Sequence, residues 1–213
     1  MKKPIILIAL ILLADQVLKI WIKMTFCYGE EVNLLGEWCK LHFIENKGMA
    51  FGMAFGGDAG KIALTSLRIV ASALIFIYMR RLVLKGEKKI LIYSFALIFC
   101  GAVGNVIDSI FYGMFFSEST IFSPAIFMPE GGGYAPVFLG KVVDMFYFPL
   151  IDTTLPQWIP IWGGNHFSFF NAIFNIADAS ITTGVCLLLV HFLFCKKETA
   201  KVDTQKTKTD NSN

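Results

Sequence analysis

Charge is what this sequence is shortest of. Asp, Glu, Lys and Arg make up 16% of its 213 residues, where a water-soluble domain carries about 25%. The deficit is confined to long apolar runs, which is the pattern of membrane spans rather than of a soluble core. Net charge is only +3, so no nucleic-acid-binding surface is expected. Neither a Gly-rich phosphate loop nor a dinucleotide fingerprint is present. Cysteine is scarce as well: five residues, none at metal-ligand spacing. Cys100, Cys186 and Cys195 fall in apolar runs and read as small packing residues. Cys27 and Cys39 share one connection, where a disulfide and two free thiols are both open.

What is present is a set of apolar runs long enough to cross a bilayer, which takes roughly 20 residues. Four qualify, at about 4–24, 62–79, 90–112 and 169–194. The first could pass for a removable signal, but it offers no small-x-small cleavage site and carries Asp15 and Lys19, so it reads as a retained helix. The connection from Arg80 to Lys89 is tight and basic; the other two, 25–61 and 113–168, are long. Lys2, Lys3, Arg80, Arg81, Lys85, Lys88, Lys89, Lys196, Lys197 and the tail lysines fall on one side. That side holds 12 of the 19 basic residues but 4 of the 16 acids. The positive-inside rule therefore makes both termini cytoplasmic and turns both long connections outward. Residues 1–195 read as a single membrane-embedded domain, and 196–213 as a polar cytoplasmic tail without fixed structure.

The outer connections have content of their own. Alternating and aromatic runs within 32–55, such as Trp38-Cys-Lys-Leu-His-Phe-Ile44, read as short strands. Gly131 to Gly133 and six prolines from Pro124 to Pro160 break up the second connection. Its aromatics (Phe146, Tyr147, Phe148, Trp158 and Trp162) suit a segment resting at the lipid–water interface.

The ionisable residues inside the spans cluster. At about 1.5 Å of rise per residue, Asp108 and Asp178 lie roughly 28 and 27 Å from the cytoplasmic edge, and Asp15 and Lys19 about 18 and 24 Å. All fall in the outer half. Gly101, Gly104, Asn105 and Asp108 share a helix face, as do Asn171, Asn175, Asp178 and Thr182; Asp15 and Lys19 form an i,i+4 pair. Such stripes face each other or a wet cavity rather than lipid. By residue type alone they serve equally as interhelical glue, as an ion or proton pathway, or as a catalytic site. Arg68 is expected to snorkel outward.

Five segments decide among these readings: Asp15-Gln-Val-Leu-Lys19; Asn46-Lys-Gly-Met-Ala-Phe-Gly52; Gly104-Asn-Val-Ile-Asp108; Val142-Val-Asp-Met-Phe146; and Phe174-Asn-Ile-Ala-Asp178. In this order, at the outer ends of four spans, they resemble the bacterial lipoprotein signal peptidases (signal peptidase II), membrane aspartic peptidases. The resemblance covers nearly all of residues 5–195. It implies an all-α membrane protein of four transmembrane helices with a small extracytoplasmic β-cradle and an interfacial arm. It implies an endopeptidase of the bacterial inner membrane that removes the signal peptide of a diacylglyceryl-modified prolipoprotein, cutting before the lipidated cysteine. The catalytic pair falls on Asp144 and Asp178. Asn46, Gly48, Gly104, Asn105, Asp108, Asn175, Asp15 and Lys19 take supporting, site-lining positions. No metal or cofactor is implied; the expected partners are the prolipoprotein and membrane lipid, and a monomer is expected.

Two nearby carboxylates cannot both ionise easily, so such a pair holds one proton. The ionised member activates a water and the protonated one polarises the scissile carbonyl. Two departures stand out. The family usually has Arg after the Gly-Asn-x-x-Asp motif, where this chain has Ser109; Arg68 and Lys141 are the candidates to supply its contact. Residues 109–143 and 149–170 are also longer than usual, enough for a lid or a partner surface.

Overall fold

The computed structural model describes residues 2–47, 57–169 and 171–210. Four helices in it are long and apolar enough to cross a membrane: α1 (Lys2–Thr25), α2 (Gly57–Leu84), α3 (Lys89–Phe115) and the first part of α4 (Ile176–Asp210). Their exposed side chains are those of a lipid-facing surface, with Leu10, Leu13, Leu67, Leu74, Leu189 and Leu193 all turned out of the protein. α3 is the central helix, packed against the other three. Close approach of α3 and α4 depends on glycine. A Cβ on Gly101 would lie 2.2 Å from the Ala177 carbonyl oxygen, and one on Gly184 would lie 2.7 Å from that of Ser94.

Helix boundaries depart from the sequence reading in three places. α2 starts at Gly57 and ends at Leu84, beyond the 62–79 run, because Asp58 and Lys61 belong to the helix although they lower its apolar content. The fourth helix begins at Ile176 rather than at 169. The aromatic run before it is extended chain: β5 (His166–Phe169) and β6 (Ile173–Phe174). Asn171 therefore does not belong to the helical stripe with Asn175 and Asp178. At its far end α4 continues to Asp210, through the stretch read as a tail without fixed structure; Lys, Glu, Ala and Gln there are good helix formers.

One end of the bundle is covered by an antiparallel sheet in the order β1 (Glu31–Leu35), β2 (Cys39–Asn46), β3 (Val142–Tyr147) and β6. β2 alternates buried and half-buried residues, as a strand with one face on a core must. Phe43, Val143 and Met145 are completely buried and pack with Ile22, Phe26, Tyr112 and Phe116 between sheet and helices. A separate hairpin pairs β4 (Ile151–Thr154) with β5. The loop joining these strands exposes Trp158, Ile161 and Trp162.

The long segment between α3 and β3 folds back onto the end of α3. Ala135 N–H donates to the Gly113 carbonyl at 3.0 Å and Gly140 N–H to that of Ser109 at 2.9 Å. Gly140 has to be glycine for this, since a Cβ would lie 2.2 Å from the Asp108 carbonyl oxygen. Buried Lys23 of α1 fastens the same segment, pairing with Glu45 of β2 while its ammonium donates to Ser119 at 3.0 Å. Cys27 and Cys39 are free thiols.

Candidate active site

Four aspartates meet where the sheet covers the helices, and they fall into two pairs of different character. The first pair is closed. Lys19 is fully buried, and its ammonium has three partners: Asp15 Oδ2 at 3.0 Å, Asp108 Oδ2 at 2.8 Å and Asn105 Oδ1 at 3.0 Å. Asp15 also accepts Ala177 N–H at 2.9 Å, the second backbone amide of α4, where a helix N-terminus favours negative charge. Gln16 donates to Asp108 Oδ1 at 2.9 Å and receives the Tyr112 hydroxyl at 3.1 Å. A π-helical turn over Asp108–Tyr112 widens α3 at this point, a distortion common at functional sites. Two carboxylates around one ammonium, with every donor used, form a saturated buried network of the kind that fixes geometry.

The second pair, Asp144 and Asp178, has no ammonium bonded to it among the described residues. Strand alternation places Asp144: Val143 and Met145 fill the core, so Asp144 points to the opposite face of β3. Asn46 lies opposite Val142 in the register, on that same face, and its Nδ2 reaches Asp144 Oδ2 at 3.4 Å. Asp178 is placed by the start of α4. Asn175 Oδ1 accepts Asp178 N–H at 2.9 Å, and Asn175 N–H is 3.4 Å from Asp178 Oδ2. This is a reciprocal capping box in which the aspartate is the third helical residue. Asn105 of α3 donates to Asp178 Oδ1 at 2.7 Å.

Asn175 joins the two carboxylates. It is fully buried, and its Nδ2 also lies 2.6 Å from Asp144 Oδ1, 3.1 Å from Asn105 Oδ1 and 3.2 Å from the Val143 carbonyl. Burial pushes the Asp144 carboxyl up to about 7, and the charge of Asp178 adds to the rise; Lys19 and the amides of Asn175 and Asn46 oppose it. Asp144 is 2% exposed, whereas Asp178 is half-buried. One carboxyl is thus enclosed and the other is open to a ligand. On the far side Arg68 of α2 is within electrostatic reach of Asp178 and Asp144.

Ser109 does not reach this space. It is fully buried and its hydroxyl donates to the Asn105 carbonyl at 3.0 Å. Lys141 is committed elsewhere, to Glu45 at 3.2 Å and Glu118 at 3.0 Å. Gly104 packs against Asp15 and Ala177; a Cβ there would lie 2.9 Å from Asp15 Oδ2. Gly48 lies outside the described residues, as do Met49 to Gly52 of the same segment. A cavity of about 310 Å³ lined by Lys47, Lys61, Tyr134 and Lys141 opens beside the site rather than on the two carboxylates.

Residues 7–194 match the family model described as signal peptidase (SPase) II. The chain belongs to the signal peptidase II family. A lipoprotein signal peptidase from Porphyromonas gingivalis is 47% identical over 185 residues, covering 86% of this chain and 80% of that one. One from Amoebophilus asiaticus is 37% identical over 179 residues, covering 83% and 71%. Among solved structures, a bacterial membrane enzyme determined by the in meso method at 2.3 Å resolution superposes with a TM-score of 0.59. At 22% identity it covers 93% of this chain and 92% of that one, a likeness of fold.

Membership of a signal peptidase II family makes the chain a protease, and four apolar helices fit a bacterial membrane protein. Within that family frame, several residues at the site escape a reading by residue type. Gln16 and Tyr112 complete the shell of Asp108, and Lys23 with Glu45 and Ser119 anchors the sheet to α1. The Asn-x-x-Asp spacing of Asn175 and Asp178 is the one local signal that marks the true start of the fourth helix.

Proposed function

We propose that this protein is an aspartic endopeptidase that removes the signal peptide of diacylglyceryl-modified prolipoproteins, cutting before the lipidated cysteine. The observation that carries the reading is the division of the four aspartates. Asp15 and Asp108 are bonded to Lys19 and closed off, whereas Asp144 and Asp178 share Asn175, lie within electrostatic reach of each other and, among the described residues, hold no bonded ammonium. A pair so placed keeps one proton between its members. Burial favours the proton on Asp144, which then polarises the scissile carbonyl. Asp178, at a helix N-terminus and open on one side, takes a proton from the attacking water. Asn105 and Asn175 hold the carboxylates in register, and Asn46 extends this polar wall along β2 toward the peptide.

A prolipoprotein delivers its acyl chains from the bilayer, so a site where the helices meet the covering sheet suits it. In this reading the sheet faces the outer side of the bacterial inner membrane and both chain ends lie on the cytoplasmic side. The exposed Trp158 and Trp162 rest among lipid headgroups, as aromatic residues at an interface do, and the enzyme works as a monomer. The test is cleavage of a diacylglyceryl-modified prolipoprotein by purified protein. The wild type is expected to release the signal peptide, and Asp144→Asn and Asp178→Asn each to lose at least a thousandfold. Processing by either folded variant would sink the assigned pair; an inert, folded wild type would sink the function.

A further inference from the structure

α2 carries a polar stripe, Lys61, Thr65, Arg68 and Ser72, at spacings of four, three and four residues, which is one helical face. Its other faces are apolar and turned out of the protein at Ile62, Leu67, Val70 and Leu74. The stripe therefore faces inward, and three of its members have local duties. Lys61 donates to the Lys47 carbonyl at 2.8 Å, Thr65 to that of Phe138 at 3.4 Å, and Ser72 to the carbonyl of Arg68 itself at 2.7 Å. The Thr65 contact ties α2 to the segment leading into β3, the strand of Asp144. Arg68 follows Thr65 by about one helical turn on the same face, half-buried.

The charged groups that act on Arg68 come from three elements: Lys61 on its own helix, Asp144 on β3 and Asp178 on α4. Asp15, Lys19 and Asp108 are bonded to one another in the closed network, where the donors of Lys19 go to Asp15, Asp108 and Asn105. The carboxylates that interact electrostatically with Arg68 are those of the Asp144–Asp178 pair. A pair that shares one proton carries one negative charge whichever member holds it. A guanidinium stays charged at any working pH, and in a water-poor wall its attraction is stronger than in bulk solvent.

We propose that Arg68 is a positioning residue for the reaction, holding the single negative charge of the Asp144–Asp178 pair from the α2 side so that Asp178 stays aimed at the attacking water. This rests on the peptidase reading above. Removing the cation lets the pair take up a second, inactivating proton at higher pH.

The full-length protein in detergent, with Arg68→Gln and Arg68→Lys variants, tests this in two ways. In prolipoprotein cleavage, Arg68→Gln is expected to lower kcat at least tenfold with KM within about twofold. The acid limb of its pH–rate profile should move up by about one pH unit, and Arg68→Lys should restore most of that displacement. Independently of activity, the dependence of Tm on pH reports titration of the pair, read as the difference between each protein and its Asp144→Asn partner. Its midpoint should move up in Arg68→Gln. A folded Arg68→Gln with wild-type kcat and an unmoved acid limb would overturn the proposal. If the wild type cleaves nothing, the peptidase reading fails, and the Tm midpoint alone decides: unmoved, it overturns the role of Arg68; moved, it upholds the hold on the pair.

Discussion

Asn175 reaches Asp144 at 2.6 Å with its amide nitrogen while its amide oxygen accepts Asp178 N–H and caps the helix that begins at Ile176. One side chain thus sets the separation of the two carboxylates. It joins a strand to a helix, and it does so from a fully buried position.

Replacing that residue should cost both stability and activity. Asn175→Ala removes an N-cap, about 1 kcal/mol, and strips partners from buried Asp144 and the Val143 carbonyl, about 1–3 kcal/mol more. A destabilisation of about 2–4 kcal/mol by denaturant titration in detergent is expected, with cleavage reduced at least a hundredfold. Asn175→Ser, which keeps the cap oxygen and loses the amide, should recover only the cap's share of the stability, about 1 kcal/mol, and not cleavage. Equal activity in the serine variant would show that the cap, not the link to Asp144, is what matters.

The raised pKa of Asp144 gives a signed pH dependence. Folded, the group titrates at about 7, against 3.8 ordinarily. The native state therefore holds its proton more tightly than the unfolded chain. The stability this gives is fully present below about pH 4 and is lost as pH rises through about 7, by at most about 4 kcal/mol. Asp144→Asn should flatten that portion of the stability curve and raise Tm at pH 8 above the wild type. As the acid of the proposed mechanism, Asp144 also makes kcat/KM fall above about pH 7, close to tenfold per pH unit. A rate still rising at pH 9 would contradict that role.

Lys19 is the keystone of the closed network, and its loss should be felt in folding. Lys19→Met leaves Asp15 and Asp108 buried without their counter-charge, a loss of about 3–5 kcal/mol. Adding Asp108→Asn to Lys19→Met should return part of that, because one of the stranded charges is removed. If the double variant is no more stable than the single one in a detergent melt, the ammonium is not neutralising Asp108.

Much of this architecture is legible in the residues, and the failures have physical causes. Four apolar runs announce the spans because lipid tolerates little else. Residues 169–174 mislead because an aromatic strand and a helix start are equally apolar. Ile173 and Phe174 pair with Tyr147 and Phe146, a contact no local window contains. Asp108 and Asp178 lie at similar depth, and depth alone could not say which acid is closed off; that depends on where Lys19 points. Asp144 is an ordinary loop acid until β3 pairs with β2 and strand alternation turns it away from the core. The electrostatic relation of Arg68 to that pair is the least legible, since it depends on residues of α2, β3 and α4 that lie far apart in the sequence.

The capping box has a consequence for inhibition. Asp178 serves at once as a reactive carboxylate and as part of the hydrogen-bonded start of a membrane helix. A compound that captures its Oδ2 competes with the Asn175 backbone amide, and so pulls on the first turn of α4 as it binds. Tight inhibitors of this site should therefore leave a trace in backbone amide exchange at residues 175–179, which would separate them from compounds that merely fill the space in front of Asp144.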